Sequence, residues 1–306
     1  MTDQKEVGGG DMISRSIAMP SHRGYKDSFD AIHSARQYAE KTGCELKILD
    51  NSGSQIKSGF DIITSPKDSP MMTNFYQAFI NSTGDYVLMA QDDDLIFSIS
   101  DIVPEGDCIG IQPTLMAFTP QHGILKIYSM ANSHDMAQDR VIEYMDNNNG
   151  SNLALFSFWR RDILASVLDL WCNAHPTKGA YADWAVVNAL MSSGKVIRDV
   201  GTVYFKNIDN WAGDQAACDA ESKRLFTDCG YEHMAGHSAM LHAIDSFIMV
   251  ARKDSPVSYD ERIKAALSCM FPFTFEQIKE VMVVNGLFKS YCEFYEYAVG
   301  KKWGRI

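Results

Sequence analysis

Two hydrophobic periods alternate along the first two hundred residues. Residues 13–19 form a short apolar run that predicts a strand, closed by the polar turn Pro20-Ser21-His22-Arg23-Gly24-Tyr25. Residues 28–42 carry Phe29, Ile32, Ala35 and Ala39 at helical spacing and stop at Gly43, a common residue just past a helix end. Residues 45–49 and 61–64 predict further strands, residues 74–82 a second helix, and residues 86–90 an unbroken apolar strand. Such a run suits a strand covered on both faces. Strand–helix–strand alternation with polar loops at the strand ends implies an α/β fold, a Rossmann-like, mostly parallel sheet flanked by helices. Ligands of such sheets bind outside the carboxyl ends of the strands.

The middle of the chain predicts strands at 108–112, 115–119 and 124–129, and an Asn-rich loop at 146–152. A strand at 153–159, helices at 160–170 and 181–192, and strands at 196–200 and 203–206 follow. From 214 onward the pattern is helical only. Residues 214–229 end at Gly230, and residues 238–252 carry Met240, Leu241, Ile244, Phe247 and Ile248 as one apolar stripe. Thr274-Phe275-Glu276-Gln277 has the form of a capping box, and Gly286 separates its helix from a final aromatic-rich one. The chain therefore divides into a leader at 1–11 ending in Gly8-Gly9-Gly10-Asp11, a sheet domain at 12–212, and an all-helical C-terminal extension at 213–306. Tyr291, Phe294, Tyr295 and Tyr297 would pack that extension on the sheet domain or form a homodimer contact through the C-terminal helices.

Charge and cysteine content narrow the function classes. A formal net charge of −11 over 306 residues disfavours tight gripping of a nucleic-acid backbone, which needs clustered Lys and Arg. No apolar run approaches the ~20 residues needed to span a bilayer. The seven cysteines are scattered without a C-x-x-C pair, which suits reduced thiols and predicts a cytoplasmic protein.

The candidate chemistry starts at Gly84-Asp85-Tyr86-Val87-Leu88-Met89-Ala90-Gln91-Asp92-Asp93-Asp94, an apolar strand that runs into three consecutive carboxylates. At ~5 Å separation and an effective dielectric of ~20, each like-charged pair costs about 3 kcal/mol. A hard divalent ion such as Mn²⁺ or Mg²⁺ turns that cost into a gain. In an extended segment Asp92 and Asp94 share a face and point at one ion, with Asp93 turned away. The competing reading is a solvated acidic turn. Asp50, in Leu49-Asp50-Asn51-Ser52-Gly53, is either a ligand acceptor or a turn residue. Asp183 is a helix-start acid, which a general base can also be. His233, His237 and His242 invite a metal reading by spacing, but an interior Gly and the lack of a Glu argue against a zinc protease.

Taken in order, these segments resemble GT-A glycosyltransferases, the family-2-like ones in particular. The Pro20-Ser21-His22-Arg23 turn, Asp50 at the second strand's end, Asn74 and Ala78 in a helix, the Gly84–Asp94 stretch, and Tyr181-Ala182-Asp183-Trp184 followed by Gly194-Lys195 carry the resemblance, over residues 13–211. It implies a metal-dependent, inverting, non-processive hexosyltransferase moving a sugar from a nucleotide-diphosphate sugar, UDP-sugar by default, to an acceptor hydroxyl. Asp92 and Asp94 would hold Mn²⁺ or Mg²⁺. Pro20, Ser21, Arg23, Asp50, Asn74, Asp92 and Asp93 would contact the nucleotide. Asp183 would be the base, the only carboxylate left where Ala182 stands in place of the usual Glu. Trp184 and Trp211 would face the acceptor; His233, His237 and His242 read as structural or surface histidines, with one of them as a further metal ligand the lesser alternative. A non-catalytic nucleotide-sugar or glycan binder on this fold and a sugar nucleotidyltransferase are the alternatives.

Overall fold

The computed structural model describes residues 13–53, 60–67, 69–100, 108–128, 132–148 and 151–303. The expected leader at 1–11 lies outside them. The strands are β1 (Arg15–Ser21), β2 (Glu45–Asp50), β3 (Ile62–Thr64), β4 (Tyr86–Met89), β5 (Leu95–Ser98), β6 (Gly110–Thr119), β7 (Gly123–Tyr128), β8 (Phe158–Arg160) and β9 (Val196–Asn207). The helices are α1 (Phe29–Thr42), α2 (Met71–Ile80), α3 (Ala137–Asn147), α4 (Arg161–Asp169), α5 (Asp183–Ser193), α6 (Gln215–Asp228), α7 (Ser238–Val250), α8 (Tyr259–Met270), α9 (Phe275–Val284) and α10 (Phe288–Val299).

All nine strands belong to one sheet of order β3-β2-β1-β4-β8-β6-β9-β5, with β7 paired to β6. β3, β2, β1 and β4 are mutually parallel. β8 runs antiparallel to both β4 and β6, β6 is parallel to β9, and β5 closes the edge antiparallel to β9. The expected mostly parallel α/β sheet flanked by helices is the fold observed. β1 and β4 are its centre: Ile17, Ala18, Val87 and Leu88 are fully buried. Their continuous apolar runs are what two covered faces require.

Local differences from the sequence reading have physical causes. The two strands expected at 108–112 and 115–119 are one, β6, because Pro113 sits where the pairing with β9 shifts register. A proline is tolerated at such an irregularity, where a ladder hydrogen bond is already missing. The two strands expected at 196–200 and 203–206 are likewise joined as β9 across the same irregularity. Residues 153–156 form a 3₁₀ turn rather than a strand, and only Phe158–Arg160 join the sheet, as β8. The helix expected from 181 starts at Asp183 because Tyr181 adopts a left-handed φ of 51°. α3, α8 and the short β5 are additional elements.

The helices after β9 have no separate core: one hydrophobic cluster runs from Ile17 to Val299. Its hinge is α5. Every residue from Ala185 to Ser193 is buried, so this helix is covered all round and only its first turn reaches the surface. Two buried arginines hold its far end. Arg140 donates to the carbonyls of Met191 (3.0 Å) and Ser192 (2.7 Å), and Arg252 donates to Ala189 O (3.2 Å) and Ser193 Oγ (2.7 Å). Cations at a helix C-terminus complement its dipole, so these contacts both satisfy orphan carbonyls and fix the helix along its axis. Tyr291, Phe294 and Tyr295 are buried in this same core, and the half-exposed Tyr297 donates to Asp169 (2.7 Å).

Gly84 enters β4 so closely beside β1 that an added Cβ would lie 2.6 Å from Ser16 N and 2.7 Å from Arg15 C. Backbone cannot move aside as a side chain can. Gly84→Ala should therefore destabilise the protein by about 1–3 kcal/mol in urea unfolding; an unchanged midpoint would contradict this packing.

Candidate functional site

The carboxyl ends of β1 and β4 meet at the acid cluster. Residues 91–94 are not extended: Asp94 N–H donates to Gln91 O (3.3 Å) and closes a turn. The expected alternation is thereby lost, and Asp92 and Asp94 bond to different parts of the chain.

Asp92 is 2% exposed and turns toward the end of β1. Its Oδ2 accepts from Ser21 Oγ, His22 N and Arg23 N, each at 3.1 Å, and its Oδ1 accepts from Arg23 Nη1 at 2.9 Å. Four donors to one carboxylate, one of them charged, satisfy both of its oxygens in this buried place. Arg23 spans two acids, since Nη2 lies 3.0 Å from Asp93 Oδ2. Asp93 also accepts weakly from Asn207 Nδ2 (3.4 Å).

Asp94 turns the other way, toward the end of β9. It is 2% exposed, and accepts from Tyr204 Oη (2.6 Å), Lys206 Nζ (3.1 Å) and Asn207 N (2.9 Å). Burial pushes its carboxyl up to about 6, against the pull of the Lys206 ammonium. Burial and the neighbouring Asp94 push the Tyr204 phenol well up, so it stays a donor. The Lys206 ammonium also donates to Gln91 Oε1 (2.7 Å) and Asn207 O (2.9 Å), and lies 5.2 Å from the centre of the Phe156 ring.

Asp183 stands at the first position of α5 and is partly exposed. Its Oδ1 accepts from Trp184 N (3.1 Å), and Asn152 Nδ2 donates to its Oδ2. Burial pushes this carboxyl up to about 6, with helix N–H groups opposing. Burial and the Asp183 charge also raise the neighbouring Tyr144 phenol, whose hydroxyl donates to Ser151 O (3.2 Å). The 3₁₀ turn Leu153–Phe156 connects this acid to the first cluster. Asn152 before the turn holds Asp183, and Phe156 at its end stacks on Tyr204 at 5.3 Å. At ~2 Å rise per residue, that turn spans roughly 8 Å.

The loop leading into α5 is strained and pinned. Lys178, Gly179 and Tyr181 have φ of 55°, 77° and 51°. Left-handed backbone costs about 1–3 kcal/mol at each non-glycine position. The His175 ring holds the loop: its Nδ1 accepts from the N–H groups of Thr177 and Gly179, both at 3.3 Å. The ring proton is therefore on Nε2, which faces Asp245 Oδ2 of α7 at 3.2 Å. His242 of α7 donates from Nε2 to Tyr181 O (2.9 Å), and burial lowers its basicity. Around it, Tyr181 stacks on Trp211 (5.8 Å, 9°) and Trp184 lies over His242 (6.1 Å, 29°).

The structure thus brings Ser21, Arg23, Asp92 and Asp93 together, while Trp184 follows Asp183 in α5 and Trp211 stacks on Tyr181 just before it. Pro20 lies in β1 opposite Leu49. Asp50 pairs with Ser21 across the strand ends, while its Oδ1 accepts from Ser52 N (2.9 Å) and Ser52 Oγ (2.6 Å), the turn arrangement. Asn74 is used to hold a loop, accepting from Ser65 Oγ (3.0 Å) and donating to Ser69 O (3.4 Å). Tyr204, Lys206 and Asn207 hold Asp94. Asn152 carries no motif that would single it out.

A resident Mn²⁺ or Mg²⁺ does not fit these residues as they stand. The Asp92 and Asp94 carboxylates are bonded by protein donors on both oxygens, and each has a cationic side chain at 3.1 Å or less. Among the described residues no three His, Cys, Asp or Glu form a metal-holding group. Among the same residues, no helix is long and apolar enough to cross a membrane.

No family model and no curated protein matches the chain. Among solved structures it is similar to S. aureus TarS 1-349, at 11% identity over 92% of this chain and 91% of that one, with a TM-score of 0.45. The same protein in complex with UDP gives 12% identity, 95% and 93% coverage, and 0.46. Its complex with UDP-GlcNAc gives 11%, 93% and 81%, and 0.48. At this identity, function has to be argued from the chain's own residues.

Tyr204→Phe removes the shortest hydrogen bond to buried Asp94. The expected cost is about 1–3 kcal/mol at pH 7, read by urea unfolding; a neutral change would show that the phenol does not hold the acid.

Proposed function

We propose that this chain is an inverting, non-processive glycosyltransferase acting on a nucleotide-diphosphate hexose, with UDP as the default nucleotide, and on an acceptor hydroxyl. The observation that carries the reading is Asp183. A partly exposed carboxyl, shifted up to about 6, stands on a fully packed helix and is linked through Asn152 and the 3₁₀ turn Leu153–Phe156 to a buried, charge-neutralised acid cluster at the carboxyl edge of the sheet. The ordered motif resemblance of residues 13–211 supports the same assignment.

In this reading the nucleotide diphosphate lies over the ends of β1, β2 and β4. Arg23, a third exposed at its side chain, faces it with a guanidinium already oriented by Asp92 and Asp93. The acceptor lies against Trp184 and Trp211, whose rings offer apolar faces to sugar C–H groups. Asp183 takes the acceptor proton as the acceptor oxygen bonds to the anomeric carbon. The bond from that carbon to the phosphate oxygen breaks, and its electron pair leaves with the diphosphate. One displacement inverts the anomeric centre. Mn²⁺ or Mg²⁺ enters no step, because the acids that would hold it are already paired.

Asp183→Asn should lower turnover by about 10²–10⁴-fold while leaving nucleotide binding intact in a thermal-shift titration. Unchanged turnover would remove Asp183 as the base. In the wild type, kcat should rise with pH through about 6, since the base works deprotonated. Stability has the opposite sign. A carboxyl whose folded pKa is raised binds more protons folded than unfolded, so stability falls as pH rises from about 4 to about 6. Asp183→Asn should accordingly melt higher than wild type above pH 6 and no higher at pH 4; a lower melting temperature at pH 7 would overturn the assigned shift.

A further inference from the structure

The Lys206 ammonium has the surroundings of a bound cation. Three oxygens converge on Nζ: Gln91 Oε1 at 2.7 Å, Asn207 O at 2.9 Å and Asp94 Oδ1 at 3.1 Å. They come from three chemical types, an amide, a backbone carbonyl and a carboxylate, which together make a donor set suited to a hard cation. The Phe156 ring closes a further side at 5.2 Å. The side chain is 12% exposed, and the ammonium's three N–H groups equal its three acceptors. It is a charge in a fitted oxygen cradle.

The cradle is built into the strand pairing. Lys206 and Asn207 end β9, and Tyr204 of the same strand donates to the other oxygen of Asp94. Gln91 and Asp94 are the two ends of the acid turn, itself closed by Asp94 N–H to Gln91 O. A divalent ion competing for Asp94 would have to expel the ammonium and leave it buried against an aromatic ring. Arg23 does for Asp92 and Asp93 what Lys206 does for Asp94, but from a more exposed position.

We propose that Lys206 is the resident cation of the acid cluster, standing where a divalent ion would otherwise be held, so that a nucleoside diphosphate binds at Arg23 without a metal. The first half rests on the cradle alone; the second rests on the donor reading above.

The test uses the intact chain and two probes. Mn²⁺ alone is followed by the electron paramagnetic resonance of the free aquo ion, and UDP, GDP and dTDP are titrated calorimetrically in EDTA and in Mn²⁺. The wild type should leave the free Mn²⁺ signal at its blank value. The nucleotide that binds should do so with affinities in EDTA and Mn²⁺ that agree within about threefold. Lys206→Met should empty the cradle and take up about one Mn²⁺ per chain, whereas Lys206→Arg, which keeps the charge, should take up none. Stoichiometric Mn²⁺ uptake by the nucleotide-free wild type overturns the proposal, as does a tenfold or greater loss of nucleotide affinity in EDTA. A folded Lys206→Met protein that still binds no Mn²⁺ also overturns it. If Lys206→Met does not fold, the wild-type Mn²⁺ signal alone decides whether Lys206 is the resident cation. If no nucleotide binds in either medium, the donor reading falls and takes the second half of the proposal with it. Nucleotide binding that requires Mn²⁺ removes the proposal and leaves the donor reading standing.

Discussion

Three consecutive carboxylates at the end of a buried strand must be neutralised, and the rest of the site follows from how this chain does it. Left alone, Asp92, Asp93 and Asp94 would repel one another by several kcal/mol in a poorly solvated place. The turn at 91–94 sends them apart, Asp92 to the end of β1 and Asp94 to the end of β9. Strands from the two halves of the sheet are thereby tied at one point. The neutralisation and the closing of the fold are the same set of bonds.

That constraint gives the site its layout. Arg23 is fixed by two acids and still reaches the surface, so its orientation is settled before any ligand arrives. Tyr204, which holds Asp94, is stacked on Phe156, and Phe156 belongs to the short turn that begins beside Asn152 and Asp183. The acid cluster and the helix-start acid are therefore connected by one largely buried turn. In the function proposed above, such preorganisation would let the protein, not the substrates, set the distance between the reacting groups.

Much of the sheet was legible because β1, β2 and β4 are governed by burial alone, and burial writes itself as apolar runs bounded by Gly, Asp and Ser. Where a second influence acts, the pattern misleads. Pro113 reads as a break until the register shift that accommodates it is seen. Residues 153–156 are apolar because the core covers them, which does not distinguish a strand from a 3₁₀ turn. At the site, Asp92 depends on donors at the end of β1 and Asp94 on donors more than a hundred residues away in β9, and no local spacing announces them. Asn152 is the clearest case: one side-chain amide in an Asn-rich stretch is chosen by the position of Asp183 in space.

The His175 ring carries a consequence for how the chain can be divided. It grips the strained loop on one side and faces Asp245 on the other, with the rings of Tyr291 and Phe294 packed around it at 6.4 and 5.3 Å. Those three partners all come from the C-terminal helices. The helices therefore act as a mould for the Asp183 corner and are not a detachable appendage. Any shortened or recombined version that parts them from the sheet keeps its anionic tip but surrenders the shape of the segment that presents Asp183.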